Sequence, residues 1–533
     1  MKNKKHFLIL FLLIGLGLSR INATITLPNI PSTQFSITNY GALTSSLDNS
    51  TAINAAITAA NSAGGGMVVI PAGTFLSGPI TMKSNVNLYL SKGAILQLMP
   101  YGTGNGTPTG SYPNSGTADT YNNFISGQNL SNIKISGTGA IEGNGTAWWA
   151  AYKANTAISR PCMIRFKACN TVQIDSVTLR NAPNVHLTLG SSGSTRGSNG
   201  TISNVTISAP STSPNTDAID TWYWDGIDIH HCNLSVGDDN VAMNNYSKNL
   251  TIHKCTIGTG HGISVGSYTV DVQNVNVDSC TFSGTTNGIR LKSNITRGGN
   301  DSTFTYSNIT MTGVKYPFYI TSWYDNEPYP ASSQVAGTVV ALTPIFKNIT
   351  FKNITVTNAT YGGIIYGLPE MPIKNVVFDN VKIAATTGGL VANYVSGLQF
   401  KNCSSITIPS SKGNALVSQA SVTSGTPYSV TSSGINLTSG VSTSCTSAVD
   451  EVQANETLSC FPNPLQGNDL TVKSEIGISK VLIYSLTGVR VKELTGDGSA
   501  QLQVNLSGVE AGCYVMNVIF SNNTTSSRKL IKE

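Results

Sequence analysis

The chain has 533 residues, 52 of them Gly, and only 11% are Asp, Glu, Lys or Arg. Such a composition, rich also in Asn, Ser and Thr, excludes a long coiled coil and describes a polar chain of strands and turns. The formal net charge is +6, but Lys2, Lys4, Lys5 and Arg20 sit at the amino end and no basic block alternates with aromatics, which argues against nucleic acid as a partner.

Residues 1–23 join those basic residues to the apolar run Phe7 to Leu18 and a small-residue exit at Asn22-Ala23. They read as a cleavable export signal, because the run is too short to span a membrane. The mature protein is therefore expected outside the cytoplasm. Nine Cys, an odd number, leave at least one unpaired in a lone chain, and export permits disulfides without demanding them.

Thr51 to Ser62 places Ile53, Ala56, Ile57 and Ala60 on one helical face, with Asn49 or Ser50 as cap and Gly64-Gly65-Gly66 as stop. This helix is expected to shield the end of a larger body. From Val68 onward the pattern becomes short strands divided by Gly, Asn, Ser and Pro. A repeat then emerges: Ile227/Ile229/Cys232/Leu234 follows Val205/Ile207 at an offset of 22, and the next two copies begin at Leu250 and Val275, offsets of 23 and 25. Further copies at Ile309, Ile349, Val376 and Leu398 continue it less evenly.

Alternate apolar positions line one face of each strand, and the common register stacks copy on copy. The period matches one coil of a right-handed parallel β-helix and is about half of what a propeller blade needs. About ten coils over 24–410 are expected. Cys232, Cys255 and Cys280 then form an inward column, and alternation turns His230, His253 and Asp278 outward, so a metal site built from Cys and His is not expected and no metal or cofactor is assigned. Residues 411–459 are a Ser/Thr/Gly-rich terminal coil or linker. The segment 460–533 alternates as six or so antiparallel strands, expected to form a small β-sandwich.

The chemistry-bearing residues concentrate in Asn215-Thr216-Asp217, Gly237-Asp238-Asp239, Gly260-His261-Gly262 and Arg290-Leu291-Lys292. Asp217 precedes Asp238 by 21 residues, Asp238 precedes His261 by 23, and His261 precedes Arg290 by 29. Singly, each could be a turn cap, a tight bend or a solvated corner. Recurring near the coil period, they make one column of three carboxylates, an imidazole and two cations. Mutual repulsion among the carboxylates should raise at least one pKa and hold a proton for a general acid. Arg290 and Lys292, two residues apart on one strand face, suit a substrate carboxylate.

These four stretches, in this order and spacing, resemble the signatures of the polygalacturonase family, glycoside hydrolase family 28. Tyr40-Gly41-Ala42, Gly64-Gly65-Gly66, Pro71-Ala72-Gly73 and Gly137 to Gly145 extend the resemblance over about 30 to 410. It implies inverting hydrolysis of α-1,4-linked galacturonic acid, an acidic polysaccharide of pectin type. By similarity Asp238 is the general acid, Asp217 and Asp239 position and deprotonate water, and His261 supports the acid. Asn215, Arg290 and Lys292 contact substrate, and Tyr324 resembles the family's later substrate-binding tyrosine. Asn240 departs from the Cys often found after the paired aspartates, and Ser322 stands where a Gln is usual. Trp222 and Trp224 are candidate sugar platforms, leaving preference for homogalacturonan, rhamnogalacturonan or xylogalacturonan open.

In the tail, Phe461-Pro462-Asn463-Pro464, Val481 to Tyr484, Gly488, Gly512-Cys513-Tyr514 and Lys529 to Lys532 resemble the C-terminal sorting domain of type IX secretion in Bacteroidetes. That resemblance implies export across both membranes of a Gram-negative cell, with release or surface attachment. The solenoid is expected to be monomeric, since its closed wall leaves little free edge. A pectate lyase on the same fold and a non-catalytic glycan-binding β-helix are the alternative readings. A lyase would ordinarily need Ca²⁺ where this chain already supplies Arg290 and Lys292.

Overall fold

The computed structural model describes residues 25–102, 112, 123–190, 193, 195–324, 335–402, 404–413, 415–419, 430–432, 458–485, 490–522 and 524–533. The expected export signal at 1–23, most of 411–459 and Gly488 lie outside the described residues. Contacts divide the chain into two units, 1–443 and 444–533.

The first unit is a right-handed parallel β-helix. Its strands pair in parallel with the strand one coil away, and the predicted repeat is in register: Ile227 lies opposite Leu250, and Leu250 opposite Val275. Val205, Ile207, Cys232, Leu234, Cys255, Ile257, Cys280 and Phe282 all face the core. The Cys column is inward and unpaired, as the alternation requires, and each thiol donates to a carbonyl of the preceding coil, Cys232 Sγ to Ile202 O for one. Helix α1 (Ser50–Ser62) buries Ala52, Ile53, Ala56, Ile57 and Ala60 against this core. Asn49 stands before it but makes no capping bond. Its side chain instead accepts from Leu43 N–H and donates to Leu76 O.

One outer face collects the strands that matter for function. In chain order these are β1 (Ile164–Lys167), β2 (Leu187–Gly190), β3 (Ile219–Trp222), β4 (Val241–Met243), β5 (Ile263–Gly266), β6 (Asn287–Lys292) and β7 (Tyr316–Thr321). Each pairs in parallel with the next. A second helix not foreseen from the sequence, α2 (Thr146–Ala154), is pinned by its buried Trp149, whose indole N–H donates to Ala182 O at 3.1 Å.

Many corners of the solenoid are held by residues in the left-handed region, where Asn is the least costly side chain after Gly. Of 28 such non-glycine residues among those described, 17 are Asn. Several bond to one another across coils. Asn274 donates to Asn249 at 2.6 Å and Asn249 to Asp225 at 2.6 Å, while Asn380 donates to Asn353 and Asn353 to Asn308.

The second unit is an antiparallel sandwich. One sheet joins Ser459–Phe461, Asp469–Lys473 and Gln501–Asn505; the other joins Arg490–Thr495, Ile478–Ser485, Gly512–Phe520 and Thr525–Lys532. Leu470, Val472, Val481, Ile483, Met516, Val518, Phe520 and Leu530 fill the space between. Asn463 links the two ends of this unit, donating to Lys529 O at 2.7 Å and accepting from Ile531 N–H at 2.9 Å.

Candidate active site

Register alone builds the centre of the site. Reading across β1 to β7, the outward column runs Arg165, Thr188, Asp220, Ala242, Ser264, Arg290, Tyr319. The paired aspartates enter from the corner before β4. No strand covers Gly237 to Asn240, and that break lets adjacent Asp238 and Asp239 face one site, which a regular strand forbids.

Asp239 is the best-connected carboxylate. Its Oδ1 accepts from Ser264 Oγ at 2.7 Å and Arg290 Nη1 at 3.2 Å, and its Oδ2 accepts from Lys292 Nζ at 2.8 Å. Burial alone would raise its pKa, but Lys292 and then Arg290 outweigh burial and hold the carboxyl below the ordinary range. Asp238 is less enclosed. Its Oδ1 lies 2.9 Å from His261 Nδ1 and accepts the N–H of Asp239 at 2.9 Å.

Asp217 sits at the corner before β3, where burial, followed by the charges of Asp220, Asp238 and Asp239, pushes its pKa well up. Asp220, which the sequence reading did not single out, is raised to about 8 by burial and then by Asp239 and Asp238. Two of the four carboxylates thus favour the protonated form while Asp239 stays ionised. The signal for Asp220 was available: Ile219 and Thr221 are buried, so alternation turns Asp220 into the groove beside the carboxylates.

His186, also missed, backs Asp217 from the previous coil. Its Nε2 accepts from Ala182 N–H at 3.3 Å, so Nδ1 carries the hydrogen and donates to Asp217 O at 3.0 Å. Burial holds this imidazole neutral, its pKa lowered to about 4. Asn240, the departure noted above, is fully buried and spent on the fold. Its amide donates to Leu234 O and Thr259 O, and its carbonyl accepts from Gly262 N–H.

Tyr324 reaches the cations, its ring centroid 5.1 Å from Lys292 Nζ and 5.5 Å from Arg290 Cζ. Asn215 is exposed, and its Oδ1 accepts from Arg160 Nη2 at 2.7 Å. Together with Tyr152, Asn184 and Asp217, these two line a cleft of about 450 Å³ that runs up to the aspartates. Trp222 stays part-exposed at the groove edge. Trp224 does not reach it. Tyr223 between them takes a left-handed turn (φ 48°), and Trp224 opens the next strand facing inward, fully buried against Gly197 and Gly200. It is a core residue, which corrects its assignment as a sugar platform.

Asp238, Asp239 and His261 offer ligand atoms within 4.8 Å of one another. Both oxygens of Asp239 are already bonded to cations of this chain, so positive charge stands where an ion would supply it.

Residues 65–403 match the family model described as glycosyl hydrolases family 28, and residues 459–533 match that of a secretion system C-terminal sorting domain. An endo-polygalacturonase of Pectobacterium carotovorum subsp. carotovorum is 34% identical over 310 residues, covering 52% of this chain and 74% of that protein. An exopolygalacturonase from Arabidopsis thaliana is 29% identical over 318 residues, 57% of this chain and 70% of the other. Among solved structures, polygalacturonase from Erwinia carotovora superposes with TM-score 0.55 at 26% identity, covering 77% and 99% of the two chains. The exopolygalacturonase from Thermotoga maritima shares the fold, with TM-score 0.56 at 20% identity over 74% and 94%. The tail is a type IX sorting domain, which marks the protein for secretion or the outer surface of a Gram-negative cell. With its acidic groove, its parallel β-helix and this match over most of the solenoid, the chain belongs to family 28 of the glycosyl hydrolases.

Proposed function

We propose that the groove hydrolyses α-1,4-galacturonosyl bonds of pectin or polygalacturonate with inversion at the anomeric carbon. The observation that carries this reading is the cluster of Asp239, Arg290 and Lys292 beside three further carboxylates, which combines positive charge for a uronate with groups able to give and take a proton. Asp238, braced by His261, gives a proton to the leaving oxygen. Asp217 and Asp239 hold the attacking water on the opposite side of the sugar, and Asp239, the one held ionised, receives its proton. Arg290 has a buried Nε that makes no hydrogen bond among the described residues. With Lys292 and Tyr324, it fits the uronate. Asn215 contacts sugar from the cleft wall, and Trp222 from the other edge.

The same reading takes 24–410 as the catalytic unit, 411–459 as linker and 460–533 as the piece removed after export, with residues 1–23 cleaved earlier. The mature enzyme is a monomer. Proton NMR of fresh digests of polygalacturonate tests the mechanism: the first product signal should be the inverted anomer, and retained configuration would refute it. Asp238→Asn should fold normally and lose turnover by orders of magnitude, since an amide cannot donate the proton. Full activity in chelator, without an unsaturated product, separates this chemistry from a lyase.

A further inference from the structure

The turns that follow the groove strands carry a run of aromatics with an arginine at each end. Trp222 closes β3, and its ring lies 5.6 Å from that of Tyr268 in the turn after β5. Arg297, in the turn after β6, holds its guanidinium 5.0 Å from the Tyr268 centroid and donates Nη1 to Ser267 Oγ at 3.1 Å. Alongside, the rings of Tyr223 and Tyr246 are 4.6 Å apart, and the Arg196 guanidinium lies 5.5 Å from Tyr246. The six residues occupy five successive turns, after β2 to β6, a run of about 19 Å at ~4.8 Å per coil.

Part of this strip is open to solvent, while Trp222, Tyr223, Tyr246 and Arg297 are half-buried. Tyr268 is 44% exposed and Arg196 is exposed. Asn244, the residue after β4, is buried beneath, so the Trp222 and Tyr268 rings lean on each other at the surface. Gly266, which leads into the Tyr268 turn, is the in-register neighbour of Lys292. The strip therefore borders the cationic side of the groove.

We propose that this strip is an accessory subsite that holds a uronate-bearing stretch of polysaccharide beside the catalytic groove. Sugar faces lie on Trp222 and Tyr268, and a uronate carboxylate pairs with the Arg297 guanidinium, whose fork suits a planar anion. Arg196 stands at the far end, spaced to meet a carboxylate several sugars along the same chain. The identity of the polymer rests on the galacturonan reading above. Binding at the strip does not depend on cleavage.

The test uses the full chain disabled by Asp238→Asn, run by affinity electrophoresis in gels containing polygalacturonate, fully methyl-esterified pectin or a neutral galactan. Adding Tyr268→Ala or Arg297→Gln should weaken affinity for polygalacturonate about three- to tenfold. Tyr268→Phe keeps the ring and should restore it, which separates contact from misfolding. Arg297→Gln should leave affinity for the methyl ester unchanged, because that polymer has no carboxylate to pair. In the active chain the same changes should raise KM for polygalacturonate while kcat stays within about twofold. Equal retardation of parent and variants, or no retardation of the parent by polygalacturonate, overturns the subsite. If the active chain cleaves no galacturonan, the functional reading fails, and the retardation comparison still decides the strip.

Discussion

Lys292 Nζ lies 2.8 Å from Asp239 Oδ2, and both side chains are almost sealed from water. Enclosure would place a proton on Asp239, and this cation, seconded by Arg290, removes it. Lys292→Gln should therefore raise the Asp239 pKa. A group that must be ionised to receive a proton then fails at higher pH, so the acid limb of the kcat/KM profile should move up by about one unit, beneath a large loss of rate. An unmoved acid limb in a folded variant would show that Asp239 does not govern it.

Asp220, with a pKa raised to about 8 by burial and then by Asp239 and Asp238, binds a proton in the folded chain that the unfolded chain releases near pH ~3.9. Its stabilising contribution is complete below that value and is lost as pH rises through the folded pKa, at up to about 1.4 kcal/mol per unit. Asp220→Asn mimics the protonated form and should flatten the decline in melting temperature between about pH 5 and about pH 8. Part of the slope should survive, since Asp217 is raised as well. Melting curves of wild type and variant that fall in parallel would contradict the assignment.

His186 acts in the opposite sense. Held neutral by burial, with a pKa lowered to about 4, it contributes stability that is present above the ordinary imidazole value of ~6.5 and is lost as pH falls towards about 4. His186→Leu should abolish this acid-side loss and cost about 1–3 kcal/mol at neutral pH, because Ala182 N–H loses its acceptor while Asp217 O keeps the backbone N–H of residue 186. As a positioning residue for Asp217, it should lower kcat about tenfold or more while leaving KM nearly unchanged. An equal change in kcat and KM would point to general loosening instead.

Asn240 joins Leu234, Thr259 and Gly262 through three hydrogen bonds with its side chain fully buried. Asn240→Ala strands Gly262 N–H, while Leu234 O and Thr259 O keep the N–H groups of Gly258 and Val236, and should destabilise the solenoid by about 1–3 kcal/mol, measured by denaturant or thermal melting. Asn240→Asp keeps the shape but adds a charge next to Asp239, and should be the worse of the two at neutral pH.

The coils from Val205 to Leu398 were legible because inward alternation and the Cys column are properties of local spacing. The acid cluster was legible because its members repeat at nearly the coil length. Trp224 was misplaced because one left-handed residue, Tyr223, reverses the face that alternation assigns. His186 was invisible for a different reason. Its role arises from a contact with the next coil, 31 residues away, and its own neighbourhood carries no pattern. The helix at Thr146–Ala154 was missed because its first turn follows a glycine-rich stretch that reads as loop.

The asparagine corners bear on how such a solenoid can change over generations. Each ladder bond joins equivalent corners of adjacent coils, as between Asn249 and Asn274 or Asn353 and Asn380, and so restores alignment once per turn. Chain added elsewhere in a coil bulges outward without displacing the strands that follow. The intervals differ accordingly: Asn308 and Asn353 are 45 residues apart yet remain bonded, as do Asn249 and Asn274 at 25. Loops beside the groove can lengthen, shorten or be exchanged between relatives while the catalytic column keeps its place, leaving polymer preference free to diverge on an unaltered acid and base.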